Sequence, residues 1–510
     1  MSRLISYTLY VDWNNNGSFA AEDNVSNYLL GASGDESISN PDESTFASNG
    51  FVTEATFTLF NQGQRFSPTN SSGPLYTYIQ NGKFYQLPVK FEVTIAGTTH
   101  TVFSGAIKSI TESPRKANEN GTVSIRCTTD DGVLINKKIE TPNETTRTFY
   151  ETGKDEGRLI AKTLELCDLE DGVDFISQDY PGTPTVDIPT IAPGMFTIPW
   201  YWLDSESPIE DCWKLAAACG GRFFFDVRTK MYTYQNMTMY GTVTEYATSQ
   251  TTISESNSDV IMPVLNDKEL YEKIKVTAQP RGIGYTQTVW ESEDIPRLAP
   301  GEVLVLWAKL NNPIYKYSTP AYTWEATTTS GYSRTSDVSI SASYYTQSVK
   351  FTITNSGVYH IFLRNFKLMG KPIEGGENYV YDKLSDNTTF WSSKDGKERA
   401  IENPYIQTPA QAQAIGDLLA GRQGNFGERY SVKGYKGNNF LRAGQRVTLS
   451  NSTIGINTDA IITKASFSLG TGEITQDLEL FSTTYIHPLP NTNYFKIGTN
   501  SHTSAKKYFY

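Results

Sequence analysis

Apolar and polar residues alternate along much of the chain, and this period of two predicts β-strands with one buried and one solvent-facing side. Across residues 89–95 every odd position is Val, Phe or Ile, and Lys, Glu and Thr fill the even positions. A turn at 97–99 then leads into strands predicted at 100–103, 106–111 and 122–127. Closely spaced antiparallel strands of this kind favour a barrel or a sandwich.

Helical patterns are few, and three of them are well marked. Residues 154–167 carry an apolar stripe at helical spacing. The sequences SPIE at 207–210 and TPAQ at 408–411 are capping boxes with proline at the first helical position, and they open helices expected to end near Ala218 and Ala420. The sequence therefore predicts a mainly β protein with a few helices.

Residues 296–375 differ from their surroundings because Ser and Thr fill the outward positions of their alternating segments. This pattern predicts a small β-sandwich inserted into a larger domain. Elsewhere, the segments 89–112 and 447–469 resemble each other weakly, since the texture of 106–110 (AIKSI) returns at 462–466 (ITKAS). This echo fits either an internal duplication or the general likeness of amphipathic strands.

The composition limits the classes of function. The 510 residues include 44 Lys and Arg against 55 Asp and Glu, and the net charge of -11 argues against gripping nucleic acid by its phosphates. Hydrophobic residues make up 38% and aromatic residues 13%, which is too many for a disordered chain. The N-terminus alternates like a strand, and no apolar run approaches the ~20 residues of a membrane helix. We therefore expect a soluble protein without a Sec-type leader or a membrane-spanning segment.

One loop near the N-terminus has the ligand spacing of a calcium site. Asp12, Asn14, Asn16 and Asp23 supply hard oxygens at the spacing of a calcium-binding loop, and Gly17 permits its tight turn. Two features depart from the pattern, because the last ligand is Asp instead of Glu and the flanks are not helical. A β-turn rich in Asn and Gly that caps its own backbone is the alternative. Calcium is the one cofactor that the sequence suggests.

No catalytic motif is present in the sequence. The four cysteines include no CxxC pair, and Cys212 and Cys219 share one helix face, where they are interpreted as core residues. The four histidines lack metal-binding spacings, and no GxSxG elbow or P-loop occurs. Aromatic clusters such as 200–202 and 223–225 suit buried cores or subunit contacts, whereas exposed aromatics would suit sugar binding. We therefore expect a protein that is not an enzyme.

A series of short phrases resembles the tail hub proteins of tailed bacteriophages. They occur in the family's order over most of residues 1–485: YVDWNNNGSF at 10–19, FTLFN at 57–61, RFSPTN at 65–70, GPL at 73–75, LPVK at 87–90, FSGAI at 103–107, AACGGRFFFD at 217–226, GKPI at 370–373, NPYI at 403–406, and Leu441, Gly444 and Val447. The order and spacing of these phrases together carry the resemblance.

The resemblance implies a homotrimer in which each subunit contributes two related β-barrels, so that three subunits present six similar units. It implies five parts of the chain: a barrel at 1–140, an α+β region at 141–265, a second barrel at 266–295 and 376–487, the inserted sandwich at 296–375, and an extended tail at 488–510. Such a hub sits at the tail tip or baseplate of the virion, after synthesis in the host cytoplasm.

The same resemblance implies the partners. A hub joins the sixfold tail tube to a threefold tip, so the expected partners are the tail tube or distal tail protein, the tape measure protein, and the spike or fibre proteins. DNA would pass through the channel without specific binding, because an acidic wall repels it.

Two alternatives stay open on the sequence alone. The aromatic content and the Ser/Thr-rich sheets also suit a secreted carbohydrate-binding or carbohydrate-active β protein, although the missing signal peptide and the hub-like phrases oppose it. Another tail component, such as a distal tail protein, is the second alternative. A trimeric ring with a central channel would distinguish the hub from a monomer that binds glycans.

Overall fold

The computed structural model describes residues 5–37, 53–113, 121–130, 150–179, 190–202, 207–236, 248–264, 271–345, 347–385, 396–423, 429–470 and 473–482. Within these ranges the chain forms mostly strands, with a few helices and several separate sheets. The mainly β, multidomain class predicted from the sequence is confirmed. The predicted tail at 488–510 lies outside the described residues.

The strands are numbered in chain order: β1 (Ile5–Val11), β2 (Leu29–Ser37), β3 (Glu54–Asn61), β4 (Pro88–Ile95), β5 (Thr98–Glu112), β6 (Gly121–Thr128), β7 (Tyr150–Asp155), β8 (Thr197–Trp202), β9 (Arg222–Asp226), β10 (Met231–Gln235), β11 (Thr252–Ser254), β12 (Val260–Val264), β13 (Lys273–Ala278), β14 (Arg281–Ile283), β15 (Gln287–Glu291), β16 (Arg297–Leu298), β17 (Val303–Lys309), β18 (Ile314–Thr327), β19 (Val338–Tyr344), β20 (Ser348–Asn355), β21 (Ile361–Gly375), β22 (Tyr379–Leu384), β23 (Glu398–Glu402), β24 (Arg429–Tyr435), β25 (Arg446–Asn451), β26 (Ile456–Gly470) and β27 (Glu473–Ser482). The α-helices are α1 (Tyr76–Ile79), α2 (Glu156–Leu166), α3 (Pro208–Ala217) and α4 (Pro409–Gln423).

Twelve of these strands form one continuous sheet that consists of two halves. The first unit contains β1 to β6 in the spatial order β1-β4-β5-β6-β3-β2. The second unit contains β11, β12 and β24 to β27 in the order β11-β25-β26-β27-β24-β12. The two units meet at a junction where β2 pairs antiparallel with β26.

Alternating burial along the strands gives each unit a core. In β3 and β4 every second residue is buried, as the sequence pattern predicts. The core of the first unit includes Phe57, Phe91 and Phe103, and that of the second includes Val432 and Leu480. Four residues from the chain of the second unit, Phe440, Phe467, Leu469 and Ile474, belong to the core of the first unit. The junction is therefore a packed interface as well as a strand pair.

A third core lies between α2, α3 and α4, the β9–β10 hairpin and a three-stranded sheet in the order β22-β13-β23. Side-chain hydrogen bonds join distant parts of the chain here. The Tyr405 hydroxyl donates to Asp211 Oδ1 at 2.7 Å, and Gln407 Nε2 donates to the Trp200 carbonyl at 2.6 Å. Residues near 200 and near 405 thus belong to one folded region.

The insertion is a sandwich of two sheets. One sheet has the order β17-β20-β19, and in the other β21 lies between β18 on one side and β14, β15 and β16 on the other. Its core is separate from the other three and contains Phe351 and Phe366, whose ring centroids lie 4.6 Å apart. The Gly376 amide donates to the Pro280 carbonyl at 2.7 Å. The chain therefore enters and leaves the sandwich at neighbouring points.

Strand pairing groups the residues differently from the predicted ranges. Residues 273–278, 379–384 and 398–402 were expected in the second barrel, but they form the separate three-stranded sheet beside α4. The strands of the second unit lie at 252–264 and 429–482. The ranges came from the resemblance, and the alternation of apolar residues could not correct them because it reports which side of a strand is buried and not which sheet the strand joins.

Candidate functional site: a repeated unit and its junction

The two units have the same topology. Numbered in the order of the chain, both place their strands in the spatial order first, fourth, fifth, sixth, third, second. One pairing differs, because β1 is antiparallel to β4 while the three-residue β11 is parallel to β25. The second unit is interrupted between its second and third strands, where the chain leaves to form β13 to β23 and α4. The weak sequence echo therefore corresponds to a repeated arrangement of strands.

A bulge fixes which residues of the two units correspond. In the fifth strand of each unit the register shifts directly after an isoleucine, Ile107 in β5 and Ile462 in β26. Each isoleucine forms two backbone hydrogen bonds with the segment before the fourth strand of its unit. Ile107 accepts from the Gln86 amide and donates to the Leu87 carbonyl, and Ile462 accepts from the Gly444 amide and donates to the Gln445 carbonyl. Bulges of this kind are specific features of a fold. Ile107 and Ile462 are therefore equivalent positions.

The same left-handed turn precedes the fourth strand in both units. Gln86 has φ +66° and Gly444 has φ +91°, and both donate their amide to the equivalent isoleucine. Glycine adopts this conformation without strain, while glutamine does so at a cost. The agreement at a sparsely populated backbone conformation supports the equivalence independently of the strand order.

The junction joins the second strand of the first unit to the fifth strand of the second unit. Its six residue pairs run from Ala32 opposite Leu469 to Ser37 opposite Lys464. A Cβ atom on Gly34 would lie 2.6 Å from the Phe467 ring and 2.8 Å from the Glu54 carbonyl oxygen. Only glycine fits here, because the Phe467 ring packs directly over its backbone.

Arg442 ties the two units together by charge. Its guanidinium lies 3.0 Å from Glu36 Oε2 and donates to the carbonyls of Val102, at 3.0 Å, and Thr101. The Arg442 side chain is only 9% exposed, so these bonds replace the water that it loses. A second and more exposed pair, Lys464 with Asp35 at 3.6 Å, also crosses the junction. The sequence alone suggested neither Arg442 nor Gly34 as a functional residue.

The same surroundings affect His100. Burial, and secondarily the positive charge of Arg442, lower the pKa of His100 below the ordinary value of a histidine. Its Nε2 is buried without a hydrogen-bond partner among the described residues. The folded protein therefore protonates His100 less readily than an unfolded chain does.

Two edges equivalent to the junction stay unpaired within the described ranges. The second strand of the second unit, β12, pairs only with β24. In the first unit, β5 pairs with β4 up to Ala106, and residues 109–111 have a described partner strand, β6, on one side only. The described part of the chain therefore has one free edge on a second strand, β12, and one on a fifth strand, β5. These are the two kinds of edge that pair in the internal junction.

The predicted calcium ligands lie at the start of the first unit. Asp12 is fully buried, and its carboxylate accepts the amides of Asn16 at 3.1 Å and Gly17 at 2.8 Å. Asn16 Oδ1 accepts from Ser18, and Asp23, also buried, accepts the Ala20 amide at 2.9 Å. Asn14 is exposed. These are the self-capping bonds of the turn alternative; calcium binding stays a prediction, which calorimetric titration of the purified protein with calcium would test.

Other chemistry is sparse in the described part of the chain. The four cysteines are buried, and burial raises the pKa values of Cys127, Cys212 and Cys219 well above the ordinary value. No group of three or more His, Cys, Asp or Glu side chains in these ranges is arranged to hold a metal ion. No described helix has the length and apolar character needed to span a bilayer.

Comparisons with known proteins return distant structural matches only. No family description matches the sequence, and no curated protein matches it. Among solved structures, the chain is similar to a tail protein of Neisseria meningitidis MC58 (10% identity, TM-score 0.48, 93% of this chain and 96% of that one). It is also similar to the 43 kDa tail protein of prophage MuSo2 from Shewanella oneidensis (10%, 0.47, 94% and 98%) and to prophage tail protein gp18 of Listeria monocytogenes (11%, 0.39, 93% and 94%).

These neighbours are tail proteins, the class that the sequence resemblance names. At this identity and TM-score the matches support no conclusion about function. An inference about function must rest instead on the repeated unit and its edges.

Proposed function

We propose that three copies of the chain form a closed ring that acts as the hub of a bacteriophage tail. The observation that carries this proposal is the repeated unit with one internal junction and one complementary pair of free edges. An interface between unlike surfaces generates either a ring or a filament, and a ring results if the rotation between copies closes. Three copies with two units each present six similar units.

Such a ring has the symmetry that a tail hub needs. Six similar units match a sixfold tail tube, whereas the threefold repeat of the whole chain matches a threefold spike or fibre. In this function the protein acts by assembly and not by catalysis, with tube, tape measure and tip proteins as its partners. The net charge of -11 agrees with a channel through which DNA passes without binding.

The mass of the purified protein in solution tests the proposal. We expect light scattering and native mass spectrometry to give three times the 56.9 kDa of one chain, and negative-stain images to show rings with a central opening. A stable monomer at micromolar concentration, or an open filament, would contradict the proposal. A monomer that binds glycans would instead favour the carbohydrate-binding alternative.

A further inference from the structure

We propose that β12 of one copy lies beside the end of β5 in the next copy, in the register that β2 and β26 use inside the chain. This inference rests on the proposed ring and names the surfaces and residue pairs that close it. The occupant of each free edge is therefore a second copy of the same chain, joined head to tail.

The register follows from the equivalence of the two units. Ile107 and Ile462 correspond, so Thr111, four residues further along β5, corresponds to Ser466 in β26. On the other strand, Asp35 lies opposite Glu54, and Val264 lies opposite Arg429.

Glu54 and Arg429 are themselves equivalent. Glu54 lies opposite Thr128 and Arg429 opposite Phe481, and these two residues directly follow the partners of the equivalent isoleucines, Cys127 and Leu480. Val264 is therefore the counterpart of Asp35. Because Asp35 lies opposite Ser466 in the internal junction, Val264 of one copy is expected opposite Thr111 of the next.

Exposure at both edges supports a missing partner. Val260, Met262 and Val264 stand at alternate positions of β12 and are 42%, 42% and 37% exposed. On the other edge, Ile110 is only partly buried, whereas its counterpart Ala465, beside the paired β2, is 5% exposed. Ile110 thus stays partly exposed at a position whose counterpart is buried in the internal junction.

The contact between copies has different chemistry from the internal junction. Val264 stands at the position of Asp35, and Ser109 stands at the position of Lys464. The ion pair between Asp35 and Lys464 therefore has no counterpart in the contact between copies. Pro263 takes the position of Gly34 and has no amide to donate, which removes a hydrogen bond from the ladder. The apolar stripe on β12 must therefore supply much of the contact, and the proline limits indiscriminate pairing of this edge.

A pair of engineered cysteines tests the register in the full chain. Directly opposite residues of antiparallel strands have Cα atoms about 4.5–5.5 Å apart, which suits a disulfide. We expect the double variant Val264→Cys, Thr111→Cys to form covalent dimers and trimers on mild oxidation and to revert on reduction. The four native cysteines are buried and should not compete.

Matched variants control the experiment. Ser33→Cys with Ser468→Cys lies across the internal junction, and it should form a disulfide without any gain in mass. Each of Val264→Cys and Thr111→Cys alone should stay unlinked, because a head-to-tail contact does not bring like residues together.

The outcomes separate the inference from the proposed function. A protein that has the mass of three copies but fails to cross-link at Val264 and Thr111 overturns the register and leaves the ring standing. Cross-linking of the Val264→Cys single variant means a twofold contact and overturns the head-to-tail arrangement. A wild-type monomer at every concentration tested removes the ring, and the inference with it.

Discussion

The two units share a backbone arrangement but differ in how their edges are used. In its described residues the first unit runs from β1 to β6 without an inserted sheet, while the second is interrupted between β12 and β24 and still reproduces the same strand order. At the internal junction, glycine and two ion pairs hold the strands together. At the equivalent free edge, proline and exposed apolar residues stand instead. The two units thus share their strand topology while their corresponding edges differ in composition, as expected if one edge is held within the chain and the other meets a second copy in the proposed ring.

The buried ion pair should contribute most to that permanent contact. We expect Arg442→Met to lower the free energy of unfolding by about 3 kcal/mol, because Glu36 and the Val102 carbonyl lose their partner. Chemical denaturation of the purified protein measures this loss. Lys464→Met is the matched control, since its pair with Asp35 is longer and more exposed and should be worth less than about 1 kcal/mol. Equal effects of the two substitutions would contradict the role assigned to Arg442.

Close packing at Gly34 gives the next largest expected effect. Gly34→Ala places a methyl group against the Phe467 ring and the Glu54 carbonyl, and we expect a loss of about 2 kcal/mol. Thermal unfolding measures it. Gly470→Ala, in β26, is the control because, apart from its chain neighbours, no described residue has an atom within 4 Å of the added Cβ. A Gly34→Ala protein as stable as the control would show that the Phe467 ring can move aside.

These junction residues show where sequence reasoning ends. Alternation predicted the strands and the mainly β class because burial of one side leaves a period of two. The repeat was visible only as a similar texture around Ile107 and Ile462, since the bulge and the backbone exchange that align them are properties of the folded chain. Arg442 donates hydrogen bonds to carbonyls about 340 residues away along the chain, and no local sequence pattern predicts such a partner.

Helix signals were similarly uneven. The capping box at Thr408 forms as predicted, with the Gln411 amide bonded to the Thr408 hydroxyl and the Thr408 amide to the Gln411 side chain, each at 3.2 Å. The Ser207 hydroxyl, in the other predicted box, is buried and has no hydrogen-bond partner among the described residues. The helix begins there all the same, since Pro208 occupies its first turn. The capping motif therefore predicted the start of the helix in both cases. It predicted the capping hydrogen bonds correctly at Thr408 and not at Ser207.

Acidification should weaken the junction through His100. An unfolded histidine titrates near pH 6.5, whereas the pKa of the folded His100 is lower. Between these values the unfolded chain binds a proton that the folded chain does not, so the free energy of unfolding should fall as the pH drops below about 6.5 and level off below the folded pKa. Denaturation at pH 7.5 and 5.5 measures the difference. His100→Gln should reduce this dependence, and an unchanged dependence in that variant would contradict the role assigned to His100.

Removal of the sandwich should change assembly least. Its core is separate from the cores of the two units, and the Gly376 amide already bonds to the Pro280 carbonyl, so a short glycine link can replace residues 281–375. We expect the shortened protein to keep the mass of three copies in light scattering, because none of the edges that form the proposed ring lies in the deleted segment. A monomeric but folded product would mean that the sandwich itself holds copies together. Val260, Met262 and Val264 remain in the shortened protein. Adding Val264→Asp to the deletion therefore tests whether the copies associate through β12, because only that contact predicts that the new charge separates them.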